Sequence, residues 1–293
     1  MILHDVTRLP GAARRKGDRI GRLNMKSSLP HPNPAGEMFD ALHAGLEVKL
    51  IATPRQELKT CRPDDLVSDA VRRNVEHYNY IPVVDESELI IGLFHAAKYR
   101  QDSSSEALVR NNFRFLSEDF IIGGDTSILE FVKDADTRPC RLVVSGSNIV
   151  GLVSISDLQR FPVRAVLFAL ITGFEITMME AVRRLYKDEA VWLAMLKPER
   201  RDKIEKEKAD AQAMDSFVDT LLFAQFADKK TILEKHGLEG RSRSELKTTL
   251  GRIERLRNKV AHANEYATTP AQARQVCATV RDLLKLRPEI SGL

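Results

Sequence analysis

Several things are scarce in this chain of 293 residues, and each absence narrows the reading. It has three cysteines, Cys61, Cys140 and Cys277. They are odd in number and far apart, so they suggest neither a disulfide framework nor a metal-binding spacing, and that usage fits a reducing cytoplasm. The N-terminus lacks the apolar region of a secretory signal. The longest apolar run, Ala165 to Phe174, is bounded by Arg164 and Glu175. It falls short of the roughly 20 residues that cross a bilayer, so it reads as a buried helix and no membrane partner is expected. A strong charge of one sign is also missing. Lys and Arg number 45 against 41 Asp and Glu, a formal net charge of +4. Global charge therefore does not announce nucleic-acid binding, and any RNA site must be local.

What is present is ordinary soluble-protein material, 43% hydrophobic and 29% charged, in a chain long enough for two domains. Residues 1–36 carry Arg8, Arg14, Arg15, Lys16, Arg19, Arg22 and Lys26 against Asp5 and Asp18, and Pro30, Pro32 and Pro34 follow. By composition this is a disordered basic tail.

Residues 37–161 hold an internal repeat, the first copy at about 46–100 and the second at about 111–161. In the first, an amphipathic helix places Val67, Val71, Val75 and Tyr78 on one face, and two strands follow, Tyr80 to Val84 and Leu89 to Phe94. In the second, a short helix around Ile128, Leu129 and Val132 precedes strands Arg141 to Val144 and Ile149 to Ile155, with Ser145-Gly146-Ser147-Asn148 as the turn. Pro82-Val83-Val84 aligns with Leu142-Val143-Val144 at an offset of 60, and Gly92-Leu93 with Gly151-Leu152 at 59, so the second hairpin turn is one residue shorter. Such an α/β repeat should pair its copies.

Residues 162–293 show no strand pattern and read as an all-α bundle. Pro162 opens a helix at its first position, running to about Lys187. Further helices are expected over Glu189–Leu196, Lys197–Ala213, Asp215–His236, Ser242–Ala263 and Ala271–Leu286. The last is the best marked: Thr269 caps it, Pro270 is its first residue, Gln272 completes a capping box, and Val276, Val280, Leu283 and Leu284 form its buried stripe. The mixed-charge run Lys197 to Lys208 reads as a solvated helix, with Arg200, Arg201 and Lys203 as a lesser RNA candidate. Trp192 and Phe217 read as core.

The first candidate site ends the second copy. A strand delivers Ser154, and a helix is expected to start near Asp157. A hydroxyl and a carboxylate three residues apart can hold the 2′- and 3′-hydroxyls of a ribose. The plainer reading is capping, with Ser156 as the cap and Asp157 at the positive helix end. Residues from about 46 to 160 resemble a tandem CBS-domain pair, the Bateman module, on the Gly-apolar-apolar-Ser-x-x-Asp pattern around Ser154 and Asp157. The resemblance implies two copies packed sheet to sheet, with clefts for an adenine nucleotide such as AMP or ATP in a regulatory role. Arg138, Arg141 or Arg160 would meet its phosphate, against the plainer reading of each as a surface arginine. The first copy departs from the pattern: His95 and Lys98 stand where the hydroxyl and carboxylate belong, so that cleft has lost adenosine or takes an anion. Many such pairs are simply dimerising scaffolds.

The second candidate site is Arg257-Asn258-Lys259-Val260-Ala261-His262. Asn258 and His262, four apart, share a helix face, and Arg257 sits on its edge. Arginine can clamp a phosphate with two donors, and histidine can pass a proton near neutral pH. The motif is similar to the HEPN signature, Arg, a polar residue, three more residues, then His, on a late helix followed by one closing helix. That resemblance implies a metal-independent ribonuclease acting on RNA as a homodimer, with Arg257, Asn258 and His262 as catalytic residues and no catalytic cofactor or metal. Asn264 stands where some relatives carry a tyrosine, with Tyr266 further on. The plainer reading pairs Arg257 with Glu254 and leaves His262 to close the helix.

The expected fold class is therefore α+β/α multidomain: tandem CBS α/β repeats, then an all-α HEPN-like bundle. Two functional readings stay open, a nucleotide sensor joined to a ribonuclease, or a nucleotide-binding scaffold whose helical domain recruits another protein. An enzyme acting on a small nucleotide is a third.

Overall fold

The computed structural model describes residues 45–101, 106–214 and 219–293. The basic tail, the start of the expected Asp215–His236 helix and Phe217 lie outside the described residues.

The repeat builds two small sheets. The first copy contributes β1 (Thr53–Pro54), α1 (Val67–Arg73), β2 (Ile81–Val84) and β3 (Ile90–Phe94). The second contributes β4 (Phe113–Phe115), β5 (Ile121–Gly123), α2 (Ile128–Asp134), β6 (Cys140–Ser145) and β7 (Asn148–Ser154). One sheet has the order β1-β7-β6-β5 and the other β2-β3-β4. Each is thus completed by the leading strand of the other copy: β1 pairs with β7, and β4 with β3. Both hairpins shift register at the same repeat position, between Val83 and Val84 and between Val143 and Val144. Gly146, with φ 58, makes the tighter second turn, a left-handed conformation that glycine adopts at little cost. Val84, Ile90 and Leu93 of one sheet meet Cys140 and Leu142 of the other.

The first helix is shorter than its pattern. It stops at Arg73, and Val75 and Tyr78 are 71% and 46% exposed rather than on the buried face with Val67. Asn74 ends it: its side chain accepts from the Tyr78 N–H at 2.9 Å and donates to the Tyr78 carbonyl at 2.7 Å, closing a local turn that competes with the helix. Asparagine offers this alternative to a backbone, and a periodic apolar pattern does not reveal it.

The helical half comprises α3 (Phe161–Leu185), α4 (Glu189–Leu193), α5 (Pro198–Ala213), α6 (Phe226–His236), α7 (Arg243–Ala261) and α8 (Pro270–Ser291). The segment expected to run into α6 holds instead a 3-10 turn at Thr220–Leu222, capped by Asp219. Thr269, Pro270 and Gln272 cap α8 as their types require, but the helix runs on through Pro288 to Ser291 because Leu286 and Ile290 are buried. Arg200 of the mixed-charge helix bonds the buried Asp228, Nε to Oδ1 at 3.0 Å, so it joins α5 to α6. Trp192 is buried.

α3 is the central helix and touches α6, α7 and α8. By length and composition it alone among the described helices could cross a membrane, and 56% of its most apolar window is buried within the protein. The charges bounding its apolar run are both partnered: Arg164 with the end of α7, and Glu175 with the buried Lys229 at 2.9 Å. One core cluster runs from Val48 through Val153 and Leu158 to Ile290, so the repeat and the bundle share it. At its edge Arg281 of α8 bonds Asp136 with both guanidinium nitrogens at 2.8 Å and the Lys133 carbonyl at 2.6 Å.

Candidate functional site at the junction of repeat and bundle

Beyond β7 the chain makes a 3-10 turn over Ile155–Gln159, and the α-helix starts only at Phe161. Ser154, not Ser156, is the cap. Its side chain and Asp157 form a reciprocal box in which Asp157 Oδ2 accepts from the Ser154 N–H at 2.6 Å and from its hydroxyl at 3.1 Å. The other carboxylate oxygen accepts from Arg160 Nε at 2.7 Å. Asp157 is buried, and burial raises its pKa against the lowering effect of Ser154 and Arg160. The ribose-type pair is thus together and mutually satisfied. A ligand hydroxyl would compete with Ser154 and Arg160 for one carboxylate.

The three phosphate candidates divide. Arg160 stays with the pair and also reaches Thr53 of β1 at 3.1 Å. Arg141 is 3% exposed. It bonds Asp134 Oδ1 at 2.6 Å and lies over the Phe131 ring at 5.1 Å, with its Nε–H unpartnered among the described residues. Arg138 pairs with the same Asp134. In the first copy His95 stacks on Tyr80, ring centroids 4.4 Å apart, and burial with Lys98, Arg114 and Arg100 lowers its pKa. The departure from the ribose pattern therefore places an aromatic pair among cations.

The second motif lies on α7. Arg257 is half-buried and lines a cleft with Phe168, Ile171, Thr172 and Glu175 of α3. Its Nη1 lies 3.4 Å from Asn258 Oδ1. Glu254 bonds Lys230 at 2.6 Å, so the Arg257–Glu254 pairing is not the one formed. Asn258 and His262 are exposed, and the imidazole makes no hydrogen bond or ion pair among the described residues. His262 is the residue that closes the helix, its N–H bonding the Asn258 carbonyl at 3.2 Å. After it Ala263 takes φ 55, its N–H meets the Val260 carbonyl, and the Asn264 N–H meets the Lys259 carbonyl at 2.9 Å. This is a Schellman ending with alanine where glycine is usual.

The two motifs meet through residues that sequence reasoning left aside. Arg164 of α3 donates to the carbonyls of Lys259, Val260 and Asn264 at 3.3, 3.2 and 2.9 Å, a cation on the negative end of α7. Its guanidinium lies 5.0 Å over the ring of Tyr266, which is buried. Tyr266 in turn donates to the Leu158 carbonyl at 2.6 Å, and burial pushes its pKa up to about 12. With its amide oxygen toward them, Gln159 accepts from the N–H groups of Tyr266, Ala267 and Thr268 at 3.2, 2.8 and 3.1 Å. The turn that carries Asp157 therefore holds the loop that follows His262. The available signals were an arginine bounding an apolar run and a lone tyrosine in a polar loop. Neither names its partner.

A model of the CBS domain family matches residues 48–98. Residues 48–98 are a CBS domain by this match, and a helical region follows the repeat. Among solved structures, the chain is similar to the CBS domain of the bacterial CNNM/CorC family Mg2+ transporter in complex with ATP, at 19% identity and a TM-score of 0.35, covering 43% of this chain and 92% of that one. It is similar to the CBS-pair protein CBSX2 from Arabidopsis thaliana at 20% identity and a TM-score of 0.33, covering 42% and 94%. A putative acetoin utilization protein (AcuB) from Vibrio cholerae gives 16% identity and a TM-score of 0.34, covering 41% and 93%. No curated protein matches this chain.

Proposed function

We propose that the chain is a nucleotide-responsive regulator whose effector is the Arg257-Asn258-x-x-x-His262 motif, acting as a metal-independent endoribonuclease. CBS domains are typically regulatory, nucleotide-binding modules, and residues 48–98 match that family. One observation carries the coupling: the Ser154–Gln159 turn, through Leu158 and Gln159, grips the loop directly after His262. A ribose that takes up Asp157 must loosen its bonds to Ser154 and Arg160. The turn then shifts, and the end of α7 shifts with it. A coupling of about 1–3 kcal/mol is typical of such linkages.

The chemistry follows from the side chains. RNA brings its own nucleophile, the 2′-hydroxyl. His262, exposed at the helix end, takes that proton or returns one to the leaving 5′-oxygen, help worth on the order of 10²–10⁴-fold. Arg257 holds the scissile phosphate and its extra charge, and Asn258 orients it. One histidine cannot be acid and base at once, so a second copy supplies the other. Phe161 and Phe168, seven apart on one face of α3, are 79% and 52% exposed, and Phe168 borders the Arg257 cleft. That face is where the second copy sits.

The test incubates the full chain with mixed RNA in EDTA, with and without AMP or ATP, beside an Arg257→Ala/His262→Ala protein. Cleavage in EDTA that leaves 2′,3′-cyclic phosphate ends, disappears in the variant and responds to nucleotide is the expected result. Cleavage equal in the variant, or none under any condition, overturns the ribonuclease and favours the scaffold. Cleavage indifferent to nucleotide overturns the switch alone.

A further inference from the structure

A second basic feature lies on α7, apart from Arg257. Arg252, Arg255 and Lys259 fall at i, i+3 and i+7, one face of the helix. Opposite them on α8, at the same spacing, stand Gln272, Gln275 and Thr279. The six line a half-open cleft, with Leu256, Tyr266 and Val276 also in its wall. The charges do not cancel. Arg252 meets Asp282 at 2.8 Å, whereas Arg255 and Lys259 have no carboxylate partner among the described residues. The Arg252 Nε–H is enclosed and has no acceptor among the described residues, so the interior gives that guanidinium no further compensation beyond Asp282. The facing side chains add neutral donors. Gln272 spends its oxygen on the Thr268 and Thr269 N–H groups, at 3.0 and 3.3 Å, which leaves its NH2 to donate.

We propose that this α7–α8 cleft binds a phosphate group, with Arg252, Arg255 and Lys259 as its cationic wall and Gln272 and Gln275 as amide donors. A phosphate supplies several strong acceptor oxygens and the negative charge that two unpaired cations lack. The chemistry is shared by an RNA backbone and a free nucleotide. The inference does not rest on ribonuclease activity, because it concerns binding at another face of the helix. It places an anion beside Tyr266, and so beside the grip on Leu158.

The test is calorimetric titration of inorganic pyrophosphate into the full chain at low ionic strength. Gln275→Glu puts a carboxylate at the exposed mouth without removing a cation, and Gln212→Glu makes the same charge change on exposed α5. We expect binding to weaken at least tenfold, about 1.4 kcal/mol, in Gln275→Glu with an unchanged melting temperature, and to persist in Gln212→Glu. No pyrophosphate binding, or equal weakening in both variants, overturns the site. Two further arms use ATP and a single-stranded RNA ten-mer. Loss of one bound ATP equivalent in Gln275→Glu, whether or not a second remains at Asp157, names a nucleotide as the source of the phosphate, and loss of the ten-mer names an RNA strand. Loss of neither leaves a free polyphosphate as the occupant.

Discussion

Tyr266 and Leu158, 108 residues apart, are joined by a 2.6 Å hydrogen bond from the phenol to the backbone carbonyl. Both residues are buried, so the carbonyl has no access to bulk water once the hydroxyl is gone. Tyr266→Phe preserves the ring beneath Arg164 and removes only the donor. The expected cost is about 1–3 kcal/mol, that of one buried acceptor left unsatisfied. Urea unfolding at neutral pH measures it. A variant as stable as the parent would show that the grip on the turn resides in Gln159 alone, and the coupling route would need redrawing.

The end of α7 makes an opposite prediction. Ala263 occupies a left-handed conformation, φ 55, inside a ladder of bonds that fixes it there. An L side chain in that region costs roughly 1 kcal/mol more than glycine. Ala263→Gly should therefore stabilise the protein by about 0.5–1 kcal/mol. If it destabilises instead, the conformation after His262 is not the one described.

Much of this architecture is legible in the sequence, and the reasons for the rest are specific. The offset of 60 between Pro82-Val83-Val84 and Leu142-Val143-Val144 anticipates both hairpins, because apolar runs bounded by turn residues leave few alternatives. Thr269, Pro270 and Gln272 mark the start of α8 by local chemistry alone. What escapes is whatever depends on a distant partner. Asn74 diverts α1 into a turn, and Asp157 bonds backward to Ser154 to cap a 3-10 turn, which delays the α-helix to Phe161. Arg141 and Arg138 look like free cations in sequence until both are found on Asp134. For the Arg257 motif, the spacing of Asn258 and His262 on an exposed face was readable. The half-burial of Arg257 against α3 was not, since no local pattern reports which helix lies opposite.

The aligned glycines show the same division. Sequence pairs Gly92 with Gly151, and the structure supplies the reason. A Cβ on Gly92 would collide with the Arg114 carbonyl of β4, and one on Gly151 with the Thr53 carbonyl of β1. Each glycine thus admits the strand lent by the other copy. Backbone cannot swing aside as a side-chain tip can, so Gly151→Ala should displace β1 and cost about 1–3 kcal/mol, the range for overpacking. Thermal unfolding reads the loss, and amide exchange at Thr53 and Leu152 should rise with it. A neutral outcome would contradict the strand exchange.

The contact between Arg281 and Asp136 makes the stability of the repeat–bundle junction depend on pH. Hydrogen bonds from Arg281 are the largest influence on Asp136 and hold its carboxyl below the ordinary 3.8, with burial opposing them. A carboxyl whose pKa is depressed in the folded state contributes stability that is fully present above its unfolded value, about 3.9, and is lost as pH falls through the folded one. Arg281→Gln should therefore cost about 1–2 kcal/mol from pH 5 to 7, at the modest end for a charged pair because the arginine is partly exposed. Below about pH 4 the gap between parent and variant should close as Asp136 takes its proton. Denaturant unfolding of both proteins across pH 2.5 to 7 tests this. A gap that stays constant on the acid side would mean that Arg281 acts through the Lys133 carbonyl and its packing on α2, and that the Asp136 charge has no part in fixing the junction.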